Sequence, residues 1–563
     1  ADTDVDGSSA VTLDKTLPSL TTVSIASNRS PGTFAKPGDV VTLTMVANET
    51  ISTPVVTFKS GGVAITDTSI DYVNTTGNTW TAKYTTSTND NNGDVSYTIQ
   101  YQDLATNSGT DVTGGGTIRF DKTLPTRNTA TISSNNSPAA VAKAGSEVTL
   151  SFTSSETIQT PSGNDVVFKS GGAALHNDGR VVTYAGSGNT WTAKYTTHAN
   201  DTDGNVTFTI DFDDLAGNNI GAASAGVTSG GNVTFDDTKP TITGTTINSA
   251  NSLVTVTFDE DVYNATGGSG DLQAADFALS ITGVGGVATI GSATPTSISK
   301  TSQTVWVLGF STSGIANGNE SIEVVPVLNS IYDAAADAAA TSQSSNTVAL
   351  NEKVLPTRNT ATISSNNSPA AVAKAGSEVT LSFTSSETIQ TPSGNDVVFK
   401  SGGAALHNDG RVVTYAGSGN TWTAKYTTHA NDTDGNVTFT IDFDDLAGNN
   451  IGAASAGVTS GGNVTFDDTK PTITGTTINS ANSLVTVTFD EDVYNATGGS
   501  GDLQAADFAL SITGVGGVAT IGSATPTSIS KTSQTVWVLG FSTSGIANGN
   551  ESIEVVPVLN SIY

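Results

Sequence analysis

With 563 residues, 52 acidic against 22 basic side chains and a formal charge of −30, the chain is too long for one ordinary core. It repels nucleic acid and anionic membranes, leaving cations as natural partners. It contains no Cys, which excludes disulfides, thiol nucleophiles and thiolate metal sites, so stability outside a cell must come from packing or bound ions. No run approaches the apolar length of a membrane span, and a start at Ala1 rather than Met indicates a processed or excised segment with no uncleaved signal peptide.

Thr, Ser, Gly, Asn and Val dominate, and only 13% of residues are charged, a composition for strands and turns rather than helices. In chain order, Asp2 to Gly7 reads DTDVDG, an Asp-rich turn suited to a hard cation. Ser8 to Lys15, SSAVTLDK, then reads as the closing strand of a preceding unit. A first unit, A1, spans 17–123 and shares FKSGG and TWTAKYTT with the next unit, A2, at 124–238.

Within A2, EVTLSFTS alternates Val148, Leu150 and Phe152, and NVTFTIDF alternates Val206, Phe208, Ile210 and Phe212, the period of strands with one buried face. VVTYAGSGNTWTAKYTT at Val181 to Thr197 reads as a hairpin whose turn is Gly186 to Asn189. A different unit, B1, follows at 239–354, and then Leu355 to Tyr563 repeats Leu124 to Tyr332 letter for letter at an offset of 231 residues. The second copies are A3 at 355–469 and B2 at 470–563, the latter stopping short of the segment NTVALNE that closes B1. Tryptophans at 80, 191, 306, 422 and 537 place one large aromatic in each unit, as expected of five separate cores.

FDKTLP at Phe120, FDDTKP at Phe235 and Phe466, and NEKVLP at Asn351 mark the joints. The Pro fixes its own φ and biases its neighbour to extended backbone, so each joint is a stiff connector. Some seven short strands per unit, punctuated by turns, indicate an antiparallel β-sandwich. Five such units in line predict a rod of roughly 150 to 200 Å.

The joints FDKTLP and FDDTKP, with DLAGN at Asp214 to Asn218, resemble the bacterial Ig-like repeats of large surface adhesins. The B unit, with VTVTFDEDVYN from Val254, DFALSITG from Asp276 and NTVALNEKV from Asn346, resembles another Ig-like repeat of giant repetitive surface proteins, including adhesins of gliding Gram-negative bacteria. The resemblance implies an all-β linear array of Ig-like antiparallel β-sandwich domains. It further implies a secreted structural protein of the bacterial cell surface, acting in cell adhesion as a stalk or filament. The alternative is a glycan- or protein-binding module acting through exposed loops, whose mark would be a shelf of exposed aromatics.

Catalysis is not expected, because the four histidines reduce to His176 and His198 with their copies His407 and His429, outside any nucleophile or metal motif. Calcium at the domain joints is the expected cofactor if there is one. Alternating loops of a seven-strand sandwich bring Asp201 and Asp203 to the outgoing joint with Asp236 and Asp237, facing DED, Asp259, Glu260 and Asp261, of the next unit, seven carboxylates in all. Their copies are Asp432, Asp434, Asp467 and Asp468. Solvated acidic faces are the other reading of the same residues.

The ends of the chain leave two possibilities open. Either it is a window of a longer array whose partners are its own neighbouring repeats, or identical subunits join head to tail as Ser8 to Lys15 fills the edge that B2 lacks. Both place an unfilled sheet edge in B2. A host or substratum surface is the remaining partner, with no nucleic acid and no membrane insertion.

Overall fold

A computed structural model describes residues 12–221, 223–452 and 454–563. Two compact units divide the chain: Ala1–Thr282 with Thr289–Ser313 and Ser321–Ala349, and Leu350–Tyr563 with Gly283–Ala288 and Gly314–Glu320. Asp2 to Gly7 and Ser8 to Val11 lie outside the described residues, and the described part of the expected first strand, Thr12 to Lys15, is coil.

In A2 the alternation of Val, Leu and Phe with Thr and Ser produces the sheet it predicts. Arg127–Ser134, Glu147–Ser154, Thr190–Thr196 and Thr183–Ser187 form one antiparallel layer, with Val148, Leu150 and Phe152 turned into the core. The facing layer runs Val141–Ala142, Thr234–Phe235, Gly204–Ile210, Val166–Ser170, Ala173–Ala174, with Ser224–Ala225 added to Gly204–Ile210. One parallel pair, Val141–Ala142 with Thr234–Phe235, ties the chain's entry into the sandwich to its exit. A1 and A3 repeat this arrangement with cores of their own.

The hairpin turn requires glycine. Gly186 has a φ of 147°, and a Cβ there would lie 2.3 Å from the Thr190 carbonyl oxygen. Trp191 beside it is buried and donates its indole N–H to the Gly188 carbonyl at 3.1 Å, so its polar atom is satisfied inside a core position. The other four tryptophans are buried too.

B1 pairs Ile242–Ile247, Leu253–Phe258, Val305–Gly309 and Ser297–Lys300 in one layer. Phe277–Thr282, Ser321–Pro326 and Thr347–Ala349 form the other, beside the short pair Thr289–Ile290 and Thr312–Ser313. B2 repeats the first layer, but in the second Phe508–Thr513 pairs with Ser552–Pro557 alone. Ile322 and Val324 of B1 are fully buried, whereas their counterparts Ile553 and Val555 of B2 are more exposed. Along this edge runs a cavity of 440 Å³, lined in part by Ile478, Val485, Ile512, Phe541 and Ile553. Among the described residues, Ser552–Pro557 pairs on one side only.

Candidate metal centres

Among the described residues, four groups of three carboxylates recur: Asp14, Glu49 and Asp103; Asp121, Glu156 and Asp214; Asp236, Glu260 and Asp333; Glu352, Glu387 and Asp445. In each, one oxygen per residue lies within 4.8 Å of the others. Every group has the same anatomy. The first residue sits on the connector entering a sandwich, the second follows an early strand of that sandwich, and the third lies in its buried DLAGN-type turn.

The turn explains how a carboxylate is held inside. Asp214 accepts the Asn218 backbone N–H and side-chain amide, both at 2.8 Å, and the same amide donates to the Asp121 carbonyl of the connector at 3.0 Å. Asn107 and Asn449 do likewise for Asp103 with Asp14, and for Asp445 with Glu352. The residue before each amide is left-handed: Thr106, Gly217, Ala336 and Gly448 have φ of 69°, 78°, 72° and 84°. One asparagine thus orients the carboxylate and fastens the connector to the sandwich it enters.

The glutamates show the cost of crowding negative charge. Burial, then Asp14 and Asp103, raise the carboxyl of Glu49; burial, then Asp121 and Asp214, raise Glu156; burial, then Asp445, raise Glu387. Glu260 is pushed up to about 8 by burial and by Asp333, Asp236, Asp259 and Asp337. Asp333, fully buried, is pushed up to about 7, chiefly by burial. Burial also raises Asp236.

Such a site suits a hard divalent cation. It presents only oxygen ligands, Asp14, Glu49 and Asp103 line a recess of 510 Å³ and Asp121 and Glu156 one of 350 Å³, and a cation would favour the ionised form of each raised carboxyl. Buried Oε1 of Glu49 and Oδ2 of Asp333 have no hydrogen-bonding partner, so a metal ion would satisfy atoms that are otherwise costly to bury.

Of the residues singled out from sequence, Asp236 and Glu260 enter a complete group of three, with Asp333. Its copy Asp467 lies beside Glu491, whose carboxyl burial and then Asp467 raise to about 7. Asp203 does reach the outgoing joint, but it accepts the Asp237 N–H and the Thr238 hydroxyl, as Asp434 does from Asp468 and Thr469. Asp237 and Asp468 cap the backbone N–H groups of Ala144 and Ala375, and Asp259 caps Thr241. Asp201 and Asp432 are buried acceptors for the N–H groups of His176 and His198, and of His407 and His429. Asp261 is exposed and outside the groups. The seven carboxylates expected to converge therefore divide, Asp236 and Glu260 serving the cluster and most of the others bonding backbone N–H groups. Glu49, Glu156, Glu387 and the DLAGN-type aspartates fall outside the sequence expectation because they are isolated residues, far apart in sequence from their partners. Their shared signal is an acidic residue after the strand, as in SSET at Ser154 and DED at Asp259, combined with the acidic connector and the DLAGN-type turn.

These sheets define an all-β chain of Ig-like antiparallel β-sandwiches. No family model and no curated protein matches it. Among solved structures it is similar to tandem Ig domains. The I-band fragment I67–I69 of titin matches at 11% identity and a TM-score of 0.25, covering 55% of this chain and 94% of that one. The tandem Ig repeats of Dlar match at 11% identity and a TM-score of 0.14, covering 39% and 99%. At such values the likeness carries no argument, and the sheets themselves carry the fold.

Proposed function

We propose that this chain is a non-enzymatic section of a stalk or surface filament in a large repetitive bacterial adhesin, exposed outside the cell, with calcium pinning each connector to the sandwich it enters. One observation carries the reading: the same three-carboxylate group recurs at four connectors, although the B1 sandwich that holds one of them differs in sequence from A1, A2 and A3. A repeated device at the joints serves a protein whose task is to hold its modules in a fixed relation. Acidic sites of this kind favour the calcium-rich exterior over the cytosol. The loop-binding alternative lacks its expected mark, because among the described residues the exposed large apolar side chains are aliphatic except for Tyr563.

Equilibrium dialysis of the full chain against millimolar calcium tests the joints. About four bound ions per chain are expected, with about one lost in each of Glu156→Gln and Glu387→Gln; no uptake overturns the role of calcium. Antibody to the chain is expected to decorate intact cells of its source. Labelling restricted to lysed cells overturns the surface placement.

A further inference from the structure

The four groups are not equivalent, and the difference lies in one residue. In A1, A2 and A3 the buried aspartate is partnered by the amide of Asn107, Asn218 or Asn449. In B1 the corresponding turn reads Asp333-Ala-Ala-Ala-Asp337, so an acid stands where the amide donor stood. The backbone frame is kept: the Asp333 N–H donates to the Asp337 carbonyl at 3.1 Å, and the Asp337 N–H donates to Asp333 Oδ1 at 2.7 Å. The side-chain donor is gone, and Oδ2 of both Asp333 and Asp337 is buried without a partner, Asp333 itself being 0% exposed.

The surrounding charge points the same way. Asp236, Asp237 and Asp259 crowd this joint with Asp333, Asp337 and Glu260. Asp203 faces them across the connector. Lys143 reaches it from A2, 3.8 Å from Asp337 Oδ1 and bonded to the Ala336 carbonyl at 2.6 Å, and Lys239 also acts on Asp337. Neither lysine answers the orphaned Oδ2 of Asp333. At the preceding joint the third carboxylate is amide-bonded, and Arg119 eases Glu156.

We propose that the Asp236–Glu260–Asp333 site, with Asp337 as a fourth carboxylate, is a distinct high-affinity divalent-cation site that fills before the three asparagine-bearing sites. This rests on the calcium reading above. More ligand charge raises affinity for a hard cation, and a cation there satisfies two buried oxygens that nothing else in the fold partners. Graded filling would let one joint stay locked at cation levels that leave the others open.

Titration of the full chain with terbium, followed by its sensitised luminescence and by competition with calcium, separates the classes. One tight site and a weaker set are expected. Asp337→Asn is expected to weaken the tight site roughly tenfold or more and merge it with the others. Asn218→Asp, the reciprocal change, is expected to create a second tight site. Circular dichroism unchanged from wild type checks that each variant folds. Binding in a single class that neither substitution moves overturns this inference and leaves the calcium reading standing, whereas no binding at all overturns both.

Discussion

At the scale of single residues, the B1 turn combines two costs, a buried carboxylate oxygen, Oδ2 of Asp333, without a donor and an alanine at a φ of 72°. Ala336 occupies the place of Gly217 and Gly448. Ala336→Gly is therefore expected to stabilise B1 by about 1 kcal/mol, read as a higher melting temperature; a lower one would show that the left-handed backbone is not strained there. The raised carboxyls set a pH dependence whose sign follows from proton counting. Glu260 titrates at about 8 and Asp333 at about 7 in the folded chain, against ordinary values of 4.5 and 3.8. The folded state thus holds more protons than the unfolded state between those limits, and its stability is lost as pH rises from about 4 to about 8. In chelator, B1 is expected to exchange its amide hydrogens faster at pH 8 than at pH 5, after correction for intrinsic rates. Glu260→Gln should remove much of that difference, and saturating calcium should remove it by favouring the charged forms. Equal corrected rates in chelator would count against the buried cluster.

At the scale of strands and turns, most of the fold was legible because the side chains that alternate in sequence also alternate in space. Val148, Leu150 and Phe152 lie on the buried face of Glu147–Ser154, and Gly186 to Asn189 turns the predicted hairpin. The metal groups were much less legible. Asp121, Glu156 and Asp214 stand far apart in sequence, and only pairing of the strands between them brings their carboxylates together. Asp201 and Asp203 stand out in sequence as neighbours in one turn, yet Asp201 accepts the N–H groups of His176 and His198, and Asp203 that of Asp237 at the outgoing joint. The DLAGN turn carried the family resemblance, yet its part in placing a buried acid depends on the connector carbonyl that its amide reaches.

The open edge of B2 yields a prediction at this same scale, since B1 shows what identical sequence does with a closing strand. There Thr347–Ala349 pairs with Ser321–Pro326, and the Thr245 hydroxyl donates to the Thr347 carbonyl. A peptide with the sequence of residues 344–353 is expected to bind the full chain, slow exchange along Ser552–Pro557 and raise the melting of B2, because it would pair free backbone groups and cover Ile553. A scrambled peptide that acts equally well would show that the groove selects apolar surface rather than a strand in register.

At the scale of the whole molecule, the connectors decide how the sandwiches act together. Each is held to the following sandwich by backbone and amide hydrogen bonds and, on the present proposal, by a cation. A1 also reaches A2 through Lys36, whose ammonium bonds the Gly217 carbonyl at 2.5 Å. Without the cation, three carboxyl groups remain with oxygens within 4.8 Å of one another in each group, and the repulsion among those that stay ionised opposes the hydrogen bonds that seat the connector. Chelation is therefore expected to loosen residues 121–126, 236–241 and 352–357 while the strand cores remain protected, because no core residue depends on the site. Limited proteolysis and hydrogen exchange of the full chain, with and without calcium, read this directly: cleavage and exchange at those connectors should rise several-fold in chelator. Residues 236–241 should be the last to loosen as calcium is lowered, since Asp337 adds charge there. Loosening that begins in the sandwich cores, or connectors indifferent to calcium, would mean that the carboxylate groups do not govern the joints.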